Sequence, residues 1–143
     1  MSVLSAPLSI VLAVTSKCNL FCKHCLAGKI SDHNDLTLEE ILKLIDEIGR
    51  LKIFNVDIFG GEPLMRKDLF LIIEALNHYP IQISMNTNGT LITKDIAKKL
   101  KDFGIRALCI SLDGANEDVS EAMRGKDSFK KALKGIEYAC SER

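Results

Sequence analysis

Three cysteines, Cys18, Cys22 and Cys25, stand in the segment CNLFCKHC with three and then two residues between them. Thiolates this close on one loop can converge on a metal, and soft sulfur selects zinc, copper(I) or an iron–sulfur cluster. The count of three is informative. A structural zinc site closes four positions, so zinc here needs a fourth ligand such as His24 or His33. A four-iron cluster held by three cysteines instead keeps one iron open to an outside ligand. A Cys22–Cys25 pair engaged in thiol exchange also fits the spacing. Five cysteines in all, an odd number with three crowded together, do not form a disulfide framework. Cys109 and Cys140 stand apart and are expected to be small buried hydrophobes.

The elements that must position this loop follow from periodicity. Short apolar runs alternate with helical-period segments, the pattern of βα units around a parallel sheet, and four units can be counted. Leu8 to Thr15 reads as a strand that runs into the cysteine loop. Thr37 and Glu40 form a capping box ahead of a helix with Leu38, Ile41, Leu44, Ile45, Ile48 and Leu51 at helical spacing. The second strand, near Asn55 to Phe59, ends at Gly60-Gly61-Glu62-Pro63, and a helix from about Lys67 runs until Pro80 stops it. Ile81 to Asn86 form the third strand. Thr93 then caps a helix that Gly104 closes in a left-handed cap. The fourth strand, Ala107 to Leu112, ends at Asp113-Gly114, and a last helix starts near Ser128.

Parity within the strands adds a shape. Val56 and Ile58, Ile83 and Met85, and Leu108 and Ile110 share one face, while Asp57, Ser84, Asn86, Cys109 and Ser111 share the other. A sheet covered by helices on both sides is apolar on both faces, and a filled barrel interior is rich in Val, Ile and Leu. The polar second face therefore implies a sheet that curls with its helices outside and lines a cavity for a polar ligand. An open sheet whose polar face meets solvent also satisfies the pattern.

Composition bounds the class. The 143 residues are 47% hydrophobic and 27% charged, enough for a core, which excludes disorder. Nineteen basic residues balance nineteen acidic ones, so no global field favours nucleic acid or an anionic membrane. The run from Ile10 to Val14 is far short of the roughly 20 residues a bilayer needs, and no signal-peptide pattern precedes it. A cytoplasmic, soluble protein is expected.

The cysteine loop resembles the signature of radical S-adenosylmethionine (radical SAM) enzymes, and further elements match in order: GGEP at Gly60 to Pro63, NTNG at Asn86 to Gly89, SLDG at Ser111 to Gly114, then Arg124-Gly125. The resemblance covers nearly the whole chain and points to the subgroup that includes SPASM-type enzymes. It implies an α/β fold, a partial parallel TIM-like barrel with four βα units of a (β/α)6 core. It also implies a [4Fe–4S] cluster on Cys18, Cys22 and Cys25 whose open iron chelates S-adenosylmethionine. Reductive cleavage of that cofactor would give a 5′-deoxyadenosyl radical that abstracts hydrogen from substrate, an oxidoreductase-like chemistry that demands a walled cavity.

By the same resemblance Gly61 and Glu62 meet the methionyl amine, Ser111 lies near the ribose or methionyl end, Arg124 pairs with the cofactor carboxylate, and His24 abuts the adenine where an aromatic residue is usual. Asn88, with Asn86 and Asp113, is expected to face the cavity, although a turn role for Asn88-Gly89 and a cap role for Asp113 fit equally. Ser120-Glu121 replace the His-Asp that many members carry ahead of the arginine.

Residues 1–143 would be the N-terminal portion of a radical SAM core domain, without the rest of the barrel or any C-terminal domain. The implied partners are a small-molecule or peptide substrate and an electron donor such as a flavodoxin or ferredoxin, with no nucleic acid and no membrane. The substrate would belong to peptide or protein modification or to haem or quinone cofactor synthesis. A zinc-bearing, non-redox module on the same half-barrel is the alternative. The open sheet edge should make the chain self-associate or be marginally stable; a sharp monomeric peak in size-exclusion chromatography together with a cooperative melt well above about 60 °C would contradict that.

Overall fold

The computed structural model describes residues 5–25 and 34–142; His33, one of the two histidines considered for zinc, lies outside the described residues. Strands β1 (Ser9–Thr15), β2 (Asn55–Gly60), β3 (Gln82–Thr87) and β4 (Ala107–Ile110) form one parallel sheet in chain order. Helices α1 (Leu38–Arg50), α2 (Leu69–Asn77) and α3 (Lys94–Asp102) fill the crossovers, and α4 (Glu117–Arg124) and α5 (Ser128–Ser141) follow β4. The expected α/β architecture is therefore present, with four strands alternating with helices.

Local chemistry explains the boundaries. The capping box ahead of α1 is formed: Glu40 N–H donates to Thr37 Oγ1 at 3.3 Å while Thr37 N–H donates to Glu40 Oε2 at 2.8 Å. Thr93 Oγ1 caps α3 through Ile96 N–H at 3.2 Å, and Gly104 ends it at φ +75°. On the helix-covered face Val56, Ile58, Ile72, Ile73 and Leu76 are completely buried, together with Ile41, Ile83 and Met85. Burying each such side chain contributes about 1.5–3 kcal/mol, which is what fixes the register of the sheet beneath the helices. On the opposite face Val11 is 65% and Phe59 45% exposed, and Asp57, Ser84 and Asn86 are half-buried. Among the described residues no helix covers that face, in agreement with the parity of the strands.

Three expectations need correction. Helix α4 was not foreseen, because its apolar spacing is sparse; it forms because Asn116 Oδ1 accepts from Val119 N–H at 3.0 Å and Glu117 and Asp118 occupy the first turn, where negative charge is favoured. Leu51 ends α1 and is 56% exposed instead of joining its apolar stripe. Cys109 and Cys140 are exposed, not buried. Cys109 lies on the uncovered face of β4, and Cys140 borders an open groove between β4, α3 and α5 that no element of the described chain fills.

Candidate cofactor site

The cysteine loop leaves the C-terminal end of β1, the end of a parallel strand where α/β folds gather ligands. Its near foot is held by Asp35, which accepts from Thr15 Oγ1 at 2.6 Å and from Ser16 N–H and Oγ at 2.7 Å each. Arg66, three residues after Pro63, donates one Nη1 to both Val14 O and Leu36 O and pairs with Asp68 at 2.6 Å. Asp35 and Arg66 thus pinch the two feet of the loop together. Sequence reasoning passed over both: Arg66 follows GGEP closely enough to have been suspected, whereas Asp35 looks like any polar residue ahead of a helix.

Burial is the largest influence on Asp35 and would raise its pKa, but the bonds from Thr15 and Ser16 outweigh it and hold the carboxyl below its usual range. A depressed carboxylate stabilises the fold above its unfolded pKa, and that contribution is lost as pH falls through the folded value. Between about pH 5 and about pH 3 the wild-type unfolding midpoint should therefore fall more steeply than that of Asp35→Asn, measured by circular dichroism. Parallel slopes would refute the assignment.

The glycines of GGEP serve chain packing before ligand contact. A Cβ on Gly61 would sit 2.3 Å from Lys17 O, and one on Gly60 2.3 Å from Thr15 O. Their absence lets Gly61 N–H donate to Thr15 O at 2.7 Å and Glu62 N–H to Lys17 O at 2.8 Å, so β2's exit is laced to the root of the cysteine loop. Gly61→Ala should accordingly lower the thermal midpoint by roughly 10 °C, whatever is bound, because backbone and not a flexible side chain stands in the way.

Cys18, Cys22, Cys25, His24, Gly60, Gly61, Asn88, Ser111 and Arg124 all border one cavity of about 510 Å³, within the roughly 300–1,000 Å³ of small-molecule sites. Phe59, Asn86 and Leu20 complete much of its apolar and polar surface; strand parity puts Phe59 and Asn86 on this face, whereas Leu20 was not foreseen. The three cysteines of the loop are half-buried. Burial raises the Cys22 pKa, the Arg124 guanidinium lowers it, and the neighbouring Cys18, Cys25 and Asp113 raise it further. Among the described residues no three His, Cys, Asp or Glu side chains are already closed around one point. The thiols face a shared space, and a group larger than a single ion suits that arrangement: three soft donors on one loop, with cavity left over for a second ligand.

Ser111 follows β4 directly and keeps its ladder bond, donating from N–H to Thr87 O at 3.0 Å. Arg124 ends α4, is 13% exposed, and pairs with Asp113 at 2.7 Å; His24 Nε2 lies 3.5 Å from the same carboxylate. Lys23 N–H donates to Met123 O at 2.8 Å, which ties the cysteine loop to α4. Asp113 thus anchors the two cavity-lining residues and is not itself part of the lining. Glu62 is likewise absent from the lining. It is fully buried, with Oε1 accepting from Thr87 Oγ1 (2.7 Å) and Leu64 N–H (3.1 Å) and Oε2 from Asn88 N–H (2.8 Å). Burial pushes its pKa up, and the bonds from Asn88, Thr87 and Leu64 pull it back.

With this geometry in place, comparison with known proteins decides the family. The model of the radical SAM superfamily matches residues 12–143. The chain belongs to the radical SAM superfamily. Members of that family work with a [4Fe–4S] cluster and S-adenosylmethionine. Mycofactocin maturase MftC of Mycolicibacterium smegmatis is 38% identical over 136 residues, spanning 94% of this chain and 34% of that protein. An AdoMet-dependent heme synthase of Methanosarcina barkeri is 36% identical over 136 residues, 93% of this chain and 39% of the relative. A solved structure, native anSMEcpe with bound AdoMet and Cp18Cys peptide, superposes with a TM-score of 0.78 at 24% identity, covering 96% of this chain and 41% of that one. That likeness establishes the partial radical SAM barrel. The chain spans about a third to two fifths of the length of these relatives. No helix among the described residues is long and apolar enough to cross a membrane.

Proposed function

We propose that this chain carries the cofactor-binding part of a radical SAM enzyme, with Cys18, Cys22 and Cys25 holding a [4Fe–4S] cluster and the adjoining cavity taking S-adenosylmethionine. The observation that carries the reading is that three cysteines from one loop line the cavity that also presents Gly61, Ser111 and Arg124. When bound, the pair supplies a 5′-deoxyadenosyl radical for hydrogen abstraction. The chain's own residues place it. The backbone at Gly61 and the Ser111 hydroxyl offer polar contacts along the cavity, and Arg124 offers a planar donor fork suited to a carboxylate. His24, 41% exposed at the cavity rim, presents a ring able to stack on a base. Glu62 supports the site from behind, through Asn88 and Thr87, and does not reach into it.

The enzyme acts on a peptide or on a haem or quinone precursor, with reducing equivalents from a flavodoxin- or ferredoxin-like donor. The name of the heme-synthase relative supports the haem precursor, and the peptide bound in the anSMEcpe structure supports the peptide. Residues 1–143 form the N-terminal part of the core domain. Anaerobic reconstitution with iron and sulfide should give about four irons per chain and a broad visible absorbance, and added S-adenosylmethionine should perturb the electron paramagnetic resonance of the reduced protein. Stoichiometric zinc without colour would replace this reading with a zinc module.

A further inference from the structure

The NTNG turn is wired to the first cysteine in a way that its expected role as a cofactor contact does not explain. Asn88 Oδ1 accepts from Thr90 N–H at 2.9 Å and from Thr90 Oγ1 at 2.7 Å. A backbone N–H can only donate, so the carboxamide oxygen must face Thr90 and the NH2 group must face the other way. That NH2 group donates to Asn19 Oδ1 at 2.9 Å and points at Cys18 Sγ, 3.9 Å away. Asn19 Nδ2 in turn donates to Thr90 Oγ1 at 2.8 Å, closing a ring of three side chains around the residue next to Cys18. Leu20 N–H approaches the same sulfur at 3.4 Å. Asn88 itself is 7% exposed, and its own N–H is held by the buried Glu62 carboxylate.

We infer that Asn88 tunes the cluster through an N–H directed at the Cys18 sulfur, and that Glu62 is the positioning residue that holds Asn88 in place to do so. The inference rests on the cluster reading above. A donor aimed at a ligating sulfur draws electron density from it and favours the reduced, more negative cluster, which raises the potential. The buried glutamate of GGEP and the second asparagine of NTNG then act as one unit behind the metal, with the amide committed to sulfur, Asn19 and Thr90 and not to the bound cofactor.

The test is a redox titration of the reconstituted chain, wild type against Asn88→Asp and Glu62→Gln, with iron content measured alongside. Asn88→Asp keeps the size and the acceptor facing Thr90 but replaces the donor with negative charge. Its midpoint should fall by at least a tenfold change in the one-electron equilibrium, about 59 mV, at unchanged iron. Glu62→Gln should move it in the same direction by less. Equal midpoints in loaded wild type and Asn88→Asp would overturn the inference and leave the cluster reading intact, whereas a wild-type chain that takes up no iron would remove both. Should Asn88→Asp fail to load, Asn88→Ser, which lacks the donor without adding charge, is read in its place. If neither variant loads while wild type does, Asn88 holds the loop and does not tune it, and the inference fails.

Discussion

Replacement of any one of Cys18, Cys22 and Cys25 by Ala drops bound iron from about four per chain to near zero after anaerobic reconstitution. Two thiolates cannot substitute for three, because each ligand lost from a cluster exposes an iron to solvent and exchange. The apo chain should barely notice. The three thiols are half-buried on a loop outside the hydrophobic core, so each substitution should shift apo stability by no more than about 0.5 kcal/mol. The contrast in the two readouts, iron content by colorimetric assay and unfolding by circular dichroism, separates a ligand from a structural residue. Cys109→Ala and Cys140→Ala are the controls: both are exposed and away from the loop, and both should keep full iron. Retention of iron by a loop variant, or its loss from Cys109→Ala, would defeat the assignment.

The legible parts of this protein were those governed by period and by local caps. Val56, Ile58, Ile83 and Met85 announced the covered face by alternation alone, and Thr37, Thr93 and Gly104 announced helix ends because the bonds they make are local in sequence. The cysteine spacing and the strand-end motifs also named the end of the sheet at which a site would form. What stayed hidden depends on partners distant in sequence. Asp35 meets Thr15 and Ser16, Arg66 meets Val14, and Asn88 meets Asn19, with separations of 19 to 69 residues, and a list of residue types does not contain those meetings. Glu62 belongs with them: its carboxylate turns inward to Thr87 and Asn88, 25 and 26 residues away, partners that its place beside two glycines does not name. Cys109 and Cys140 erred the other way: their type favours burial, but their strand parity and the open groove expose them.

Arg66→Ala is expected to cost about 3 kcal/mol, roughly 10 °C in the thermal midpoint, although the residue lies in neither the apolar core nor the cavity lining. Its side chain is 8% exposed and its guanidinium does three things at once. It takes the carbonyl of Val14, the residue skipped where the β1–β2 register shifts between Ala13 and Thr15. It takes Leu36 O at 3.0 Å on the far foot of the cysteine loop, and it pairs with Asp68, which stands at the start of α2 without a capping bond of its own. Truncation leaves a buried carbonyl without this donor and a carboxylate without its partner, and each such loss costs about 1–3 kcal/mol. Arg66→Lys should recover only part of it, since one ammonium cannot span Val14, Leu36 and Asp68 with the geometry of a planar fork. Lys98→Ala gives the comparison. Lys98 and Asp102 form an exposed i,i+4 pair on α3, screened by solvent, whose loss should leave stability almost unchanged. Urea unfolding of the apo proteins measures all three, and an Arg66→Ala penalty no larger than that of Lys98→Ala would show that the clamp does not hold. Because the same guanidinium joins both feet of the loop, the reconstituted Arg66→Ala protein should also release iron to a chelator faster than wild type at temperatures where both remain folded.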